Sequence, residues 1–148
     1  MGKFLKRVLS VMVAVLMLVA TPIGLFKIES EATDEASSAV EFEADSGETA
    51  PGGIVEIPVR ISNNSGIKGF YTKISYDSNV LTPIEVKKGT AFDTGDIISN
   101  LEKPTQGELN VVGYGARTAS NDGVLYTVVF KVSDTASGSY EINLSYDR

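Results

Sequence analysis

Residues Gly69 to Val86 read G-F-Y-T-K-I-S-Y-D-S-N-V-L-T-P-I-E-V. The first half alternates: Phe70, Thr72, Ile74 and Tyr76 fall on one side, and Tyr71, Lys73 and Ser75 on the other. A period of two is the signature of a strand with one face buried and one in water. Asp77, Ser78 and Asn79 then interrupt the pattern with short polar side chains of the kind that bond their own backbone in turns. Val80 and Leu81 restart an apolar run that Ile84 and Val86 carry past Pro83. The stretch is a strand, a turn and a second strand.

The same grammar extends in both directions. Val40, Phe42 and Ala44 alternate with Glu41 and Glu43 in a first strand. The Gly- and Pro-containing stretch 45–53 is a turn. Val55, Ile57, Val59 and Ile61 then line the inner side of a strand over 54–62, with Glu56, Pro58 and Arg60 outward. Pro58 lacks an N–H, so its position is expected to be unpaired or at a bulge. Beyond the quoted pair, strands are expected at 96–101, 108–116, 124–133 and 139–146, with 92–95 as a polar connection. Turn chemistry separates them. No helical period spans three turns after residue 32. Eight short strands at spacings of about ten residues predict an all-β sandwich in one domain.

Composition removes several chemistries. The 148 residues contain no Cys, His or Trp. Disulfides, Cys/His zinc sites and His-dependent triads are therefore excluded. The net charge is −6, and no basic stripe is present, which argues against nucleic-acid binding. The N-terminus carries Lys3, Lys6 and Arg7, then an apolar core over Val8–Ala20 broken only by Ser10. Ser30-Glu31-Ala32 offers small residues at the two positions a signal peptidase reads, with Ala20 and Ala36 as competing sites. The expected organisation is a signal peptide over 1–32, a short leader over 33–39 and one domain over 40–148. The apolar core is short for a membrane span, so export to the medium or cell surface, without membrane insertion after cleavage, is the expectation.

Four features now line up in order. Ala50-Pro51-Gly52-Gly53 leads into a strand ending Val59-Arg60-Ile61. Tyr76-Asp77-Ser78-Asn79-Val80-Leu81 joins two strands. Asp122-Gly123-Val124-Leu125 opens a strand that reaches Phe130-Lys131-Val132. Gly138 lies in the loop after it. From Val40 onward this resembles the cohesin modules of cellulosomal scaffold proteins (scaffoldins), with Ser78 where that family usually has Pro. The resemblance implies a nine-stranded jelly-roll sandwich whose last strand returns beside the first. Only eight strands are visible before Arg148, which reads as a domain cut before its final strand. It also implies a non-catalytic extracellular module that docks dockerin-bearing enzymes or scaffold subunits of a polysaccharide-degrading complex. No cofactor is expected on this chain, since the dockerin would bring its own calcium.

Catalysis finds little support. The carboxylates fall in turns, as Asp77, Asp93, Asp122 and Asp134 do, or on outward strand positions such as Glu43 and Glu56. A glycosidase needs two carboxylates facing one another across a cleft. The D-x-D-x-D-G pattern of a calcium loop is absent. Carried over by position, the resemblance puts the partner face on outward residues of three strands. These are Gly69, Tyr71 and Lys73; Ile97, Ser99 and Leu101; and Val111, Gly113 and Gly115, if Val112 and Tyr114 face the core. Ala116 and Arg117 follow at the end of the last of these strands. Tyr71 suits an interface anchor, although aromatics also favour strands for packing reasons alone. Gly113 and Gly115 would permit close approach of a partner or else mark a bulge. Two other readings stay open, a carbohydrate-binding sandwich and a structural or adhesin domain of the cell surface.

Overall fold

The computed structural model describes residues 26–32, 40–102 and 107–147. These form ten strands: β1 (Phe26–Ala32), β2 (Glu41–Ala44), β3 (Gly47–Thr49), β4 (Ile54–Ser62), β5 (Ile67–Ser75), β6 (Leu81–Lys88), β7 (Gly95–Ser99), β8 (Glu108–Ala119), β9 (Gly123–Val132) and β10 (Ser139–Asp147). One sheet runs β3-β1-β10-β5-β8-β7 and the other β2-β4-β9-β6. The all-β sandwich expected from the alternation is present. Among the described residues no helix is long and apolar enough to cross a membrane.

The quoted stretch folds as read. Asp77 accepts at its backbone oxygen from Val80 N at 3.1 Å and Leu81 N at 2.9 Å. Its carboxylate accepts from Asn79 N at 2.9 Å. The Asp side chain thus supplies the acceptor that turns β5 back into β6. The two strands enter different sheets, as a sandwich with crossed connections requires. Pro58 also sits as expected. Its carbonyl accepts from Asp45 N, one residue past the last β2–β4 pair, Ala44↔Val59. Amide and carbonyl of one strand residue point the same way, so the missing N–H falls where β2 has ended, next to the bulge between Val59 and Arg60.

Two strands go beyond the eight read from the sequence. β3 lies inside the stretch expected to be only a turn. A Cβ on Gly47 would come within 2.5 Å of Val55 Cγ2, so the bare backbone lets the chain pass over β4 into the other sheet. β1 lies in the stretch assigned above to the signal peptide. It pairs in parallel with β10, Lys27↔Ser139 through Ala32↔Leu144, and antiparallel with β3. The leader at 33–39 and the apolar stretch at 8–20 lie outside the described residues.

The core forms between the inner faces. From the second sheet come Phe42, Ile57, Val59, Ile61, Tyr126, Val128 and Phe130, and from the first Phe70, Ile74, Leu109, Val111, Ile142 and Leu144. Each fully buried side chain of this size contributes roughly 1.5–3 kcal/mol. Phe92 was expected in a polar connection but is completely buried. It meets Phe70 edge-on at 5.2 Å, closing the end of the sandwich near β7. One polar pair lies inside. Thr72 Oγ1 donates to Val111 O at 3.2 Å and lies 2.6 Å from Tyr126 Oη. With the threonine proton committed, the phenol donates, and no buried side-chain polar atom among the described residues lacks a partner. Burial pushes the Tyr126 phenol well above its ordinary value.

Candidate functional site

The surface that stands out is the outer face of β10, β5, β8 and β7. Its layout follows from register. Tyr71 is opposite Val112, Val112 is opposite Ile98, and Asp147 is opposite Tyr71, so these four form one row across the sheet. The next row holds Gly69, Tyr114 and Asp96. On the other side come Lys73, Asn110 and Ser145. Within this face Ile98 is 56% exposed, Tyr114 53% and Tyr71 38%. A band of two tyrosines and two aliphatic residues therefore faces water, with polar residues on either side.

The band is held in place. Tyr71 Oη donates to Asn110 Oδ1 at 2.9 Å. The Asn110 backbone is pinned in turn, its N–H bonding Asn100 Oδ1 at 2.8 Å and its carbonyl accepting from Asn100 N at 3.2 Å. Lys73 Nζ lies 3.4 Å from Glu108 Oε1, an ion pair beside the band. Gly69 places no side chain next to the ring of Tyr114. Anchored aromatics lose little conformational freedom on binding, which suits them to contact surfaces.

The expected site residues divide into two groups. Gly69 and Tyr71 lie outward, and Lys73 shares their face. Ala116 and Arg117 are exposed at the end of β8. The orientation expected for β7 and β8 is reversed. Val111 is fully buried, and Gly113 points inward, where a Cβ would stand 2.2 Å from Phe70 Cε1. Ile97 and Leu101 pack against the core. Ser99 is opposite Val111 and shares its side. Gly115 is opposite Gly95, and a Cβ there would come within 3.2 Å of Gly95 Cα. In their place the face carries Val112, Tyr114 and Ile98. The signal for the correct parity was present. Leu109 belongs inside and Asn110 outside, which carries Val111 and Gly113 inward and Val112 and Tyr114 outward. Asp96 does the same for Ile98.

A polar recess lies elsewhere, lined by Asn63, Asn64, Ser65, Thr90, Ser120, Asn121 and Asp122. Asn64 is its hub. Asn64 N donates to Asp122 Oδ1 at 2.9 Å, Asn64 Nδ2 donates to Ala119 O and Asn121 O, and Gly66 N donates to Asn64 Oδ1. It ties the β4–β5 loop to the β8–β9 turn. Among the described residues no three acidic side chains gather as a metal site.

Residues 26–147 match the family described as "Cohesin domain". The chain is 30% identical over 109 residues to cellulosomal-scaffolding protein B of Acetivibrio thermocellus, covering 67% of this chain and 14% of that protein. It is 30% identical over 120 residues to cellulosomal-scaffolding protein A of the same species, covering 74% of this chain and 6% of that protein. The chain thus spans a small part of these relatives' length. Among solved structures, the third cohesin ScaC of Acetivibrio cellulolyticus, in complex with the ScaB dockerin, superposes with a TM-score of 0.55 at 21% identity, over 82% of this chain and 80% of that one. A non-cellulosomal cohesin from the archaeon Archaeoglobus fulgidus gives 0.56 at 20% identity, over 82% and 72%. The match runs from β1 through β10, and the chain belongs to the cohesin family, whose domains are non-catalytic binding modules.

Proposed function

We propose that this domain docks a dockerin and that the contact is made by the outer face of β5, β8 and β7. The observation that carries the reading is the solvent-facing row Tyr71–Val112–Ile98 with Tyr114 beside it. A contiguous apolar band, with Tyr71 hydrogen-bonded in place and a polar surround, has the anatomy of an interface core and rim. It suits the apolar side of a helix laid across the strands. The partner is a dockerin borne by an enzyme or by another scaffold subunit. The setting is an extracellular assembly that degrades polysaccharide, reached by export through the N-terminal signal. Support for that setting comes from the two scaffolding relatives. The archaeal non-cellulosomal cohesin makes the fold compatible with other settings, so the partner experiment decides.

The experiment is calorimetric titration of the exported domain against a panel of dockerins from the same cell, with cello-oligosaccharides as a second arm. Dockerin binding that Tyr114→Ala and Ile98→Asp each weaken at least tenfold supports the reading. Saccharide binding with no dockerin binding would replace it with a carbohydrate-binding role. No binding in either arm would leave a structural surface domain.

A further inference from the structure

We infer that the docking partner presents an acidic side chain, an aspartate or glutamate on the flank of its docking helix, to Lys68 and Arg117. The inference rests on the docking reading and names the chemistry of the contact. Among the described side chains, Arg60, Lys73 and Lys87 pair with carboxylates. Lys88 and Lys131 donate to the carbonyls of Gly95 and Gly52. Lys68 and Arg117 are exposed and have no such partner among the described residues. The whole chain carries a net charge of −6, so two unpaired cations in one place do not reflect a shortage of carboxylates.

Register brings the two together. Between the pairs Ile67↔Ala119 and Gly69↔Tyr114, Lys68 alone stands on β5 against Gly115 to Thr118 on β8. Ile67 packs on the core and Phe70 is buried. The bulge therefore turns both Lys68 and Gly69 outward, on the face that carries Tyr71. Bulges re-aim side chains in this way beside functional sites. Arg117 stands on an anchored backbone. Its carbonyl accepts from Thr94 Oγ1 at 3.2 Å. Beside it, a Cβ on Gly66 would meet Thr118 Cγ2 at 2.7 Å, so the bare glycine lets the β4–β5 loop close against the bulge. Like charges gathered across a ladder cost stability, and Asp96, across Tyr114 on β7, makes no ion pair with either. A helix laid along the Tyr71–Val112–Ile98 row has two flanks. One passes over the Lys73–Glu108 ion pair, and the other over Lys68 and Arg117. A carboxylate on that second flank would meet both cations, with the guanidinium able to grip it through two parallel hydrogen bonds. A basic flank would be repelled, which lets the face choose among partners.

The test is calorimetric titration of the exported domain, from low to high salt, with each dockerin of the panel that binds it. Arg117→Glu and Lys68→Glu should each weaken binding about tenfold at low salt. Arg117→Gln and Lys68→Gln should weaken it about threefold and flatten its salt dependence. Lys87→Glu, on the opposite sheet, makes the same change of net charge as the two Glu variants and should leave binding unchanged. Reversing one acid of the dockerin helix to lysine should restore binding to the Arg117→Glu domain. Thermal melts of every variant separate lost contact from lost fold, and the Gln variants decide if a Glu variant unfolds. Dockerin binding that Tyr114→Ala weakens but no Lys68 or Arg117 variant changes overturns the inference and leaves the docking reading intact. Tighter binding by the Glu variants overturns it too, since it would place a cation on the partner. No binding by the wild type to any dockerin would remove the docking reading and the inference with it.

Discussion

The two faces of β8 carry similar sequences and opposite fates. Leu109, Val111 and Gly113 point inward, and Asn110, Val112 and Tyr114 point out. By size alone the tyrosine belongs inside and the glycine outside, yet the reverse holds. The reason is Phe70. Its ring fills the volume that a side chain at Gly113 would need, and it is itself wedged between Phe92 at 5.2 Å and Tyr126 at 5.9 Å. The glycine is a packing partner for an aromatic cluster, while the tyrosine outside is surplus to folding. An aromatic that the core does not need is available for contact with another molecule.

The largest effect that sharpens this contrast is expected at Gly113. Gly113→Glu forces bulk and charge against Phe70 and should cost at least about 4 kcal/mol of stability, enough to unfold a marginal domain. Urea unfolding measures it; a stable, soluble variant that has merely lost dockerin binding would mean that Gly113 faces outward. Next come the outer residues. Tyr71→Ala should weaken dockerin binding by about 2 kcal/mol, the scale of an interface hot spot, with its melting temperature nearly unchanged. A parallel loss of binding and of stability would show that the band serves the fold.

Smaller effects probe the interior. Tyr126→Phe removes the donor to Thr72 and should cost about 1 kcal/mol. The wild type should also lose stability as pH rises above the ordinary tyrosine value of 10.0, because the folded state holds the Tyr126 proton more tightly than the unfolded one. Below that value the contribution is fully present. Tyr126→Phe should show a shallower alkaline fall, and equal slopes would place the sensitivity elsewhere. The smallest effect is expected at Glu56, on the opposite sheet, where it pairs with Lys87 at 2.5 Å in an exposed ion pair. Glu56→Ala should change stability by no more than about 0.5 kcal/mol and binding by nothing measurable. A large binding loss would move the site to the other face.

How far the sequence carried depended on the kind of signal. Clean alternation with a single polar turn, as in Phe70–Tyr76 and the Asp77 turn, gave strand, face and turn correctly. So did Val55–Ile61, where Pro58 had only one comfortable place. β7 and β8 were harder because both parities hold apolar residues, so periodicity could not choose and aromatic size misled. The polar members, Asp96 and Asn110, carry the parity, since burying them unpaired is costly. Phe92 was missed because a lone apolar residue in a polar connection has no period at all. β1 alternates as plainly as β2 but follows a signal-like run, and what reveals its role is pairing with β3, which itself reads as a turn, and with β10, more than a hundred residues away.

The most direct test of the central claim sets neighbouring residues against each other. Gly113→Ala and Tyr114→Ala would be melted and titrated with the same dockerin. The account predicts that Gly113→Ala loses about 1–3 kcal/mol of stability through overpacking against Phe70. Tyr114→Ala should melt within about 0.5 kcal/mol of wild type while losing about 2 kcal/mol of binding. A Tyr114→Ala domain that unfolds, beside a Gly113→Ala domain as stable as the parent, would contradict the assigned orientation of β8 and the binding face built on it.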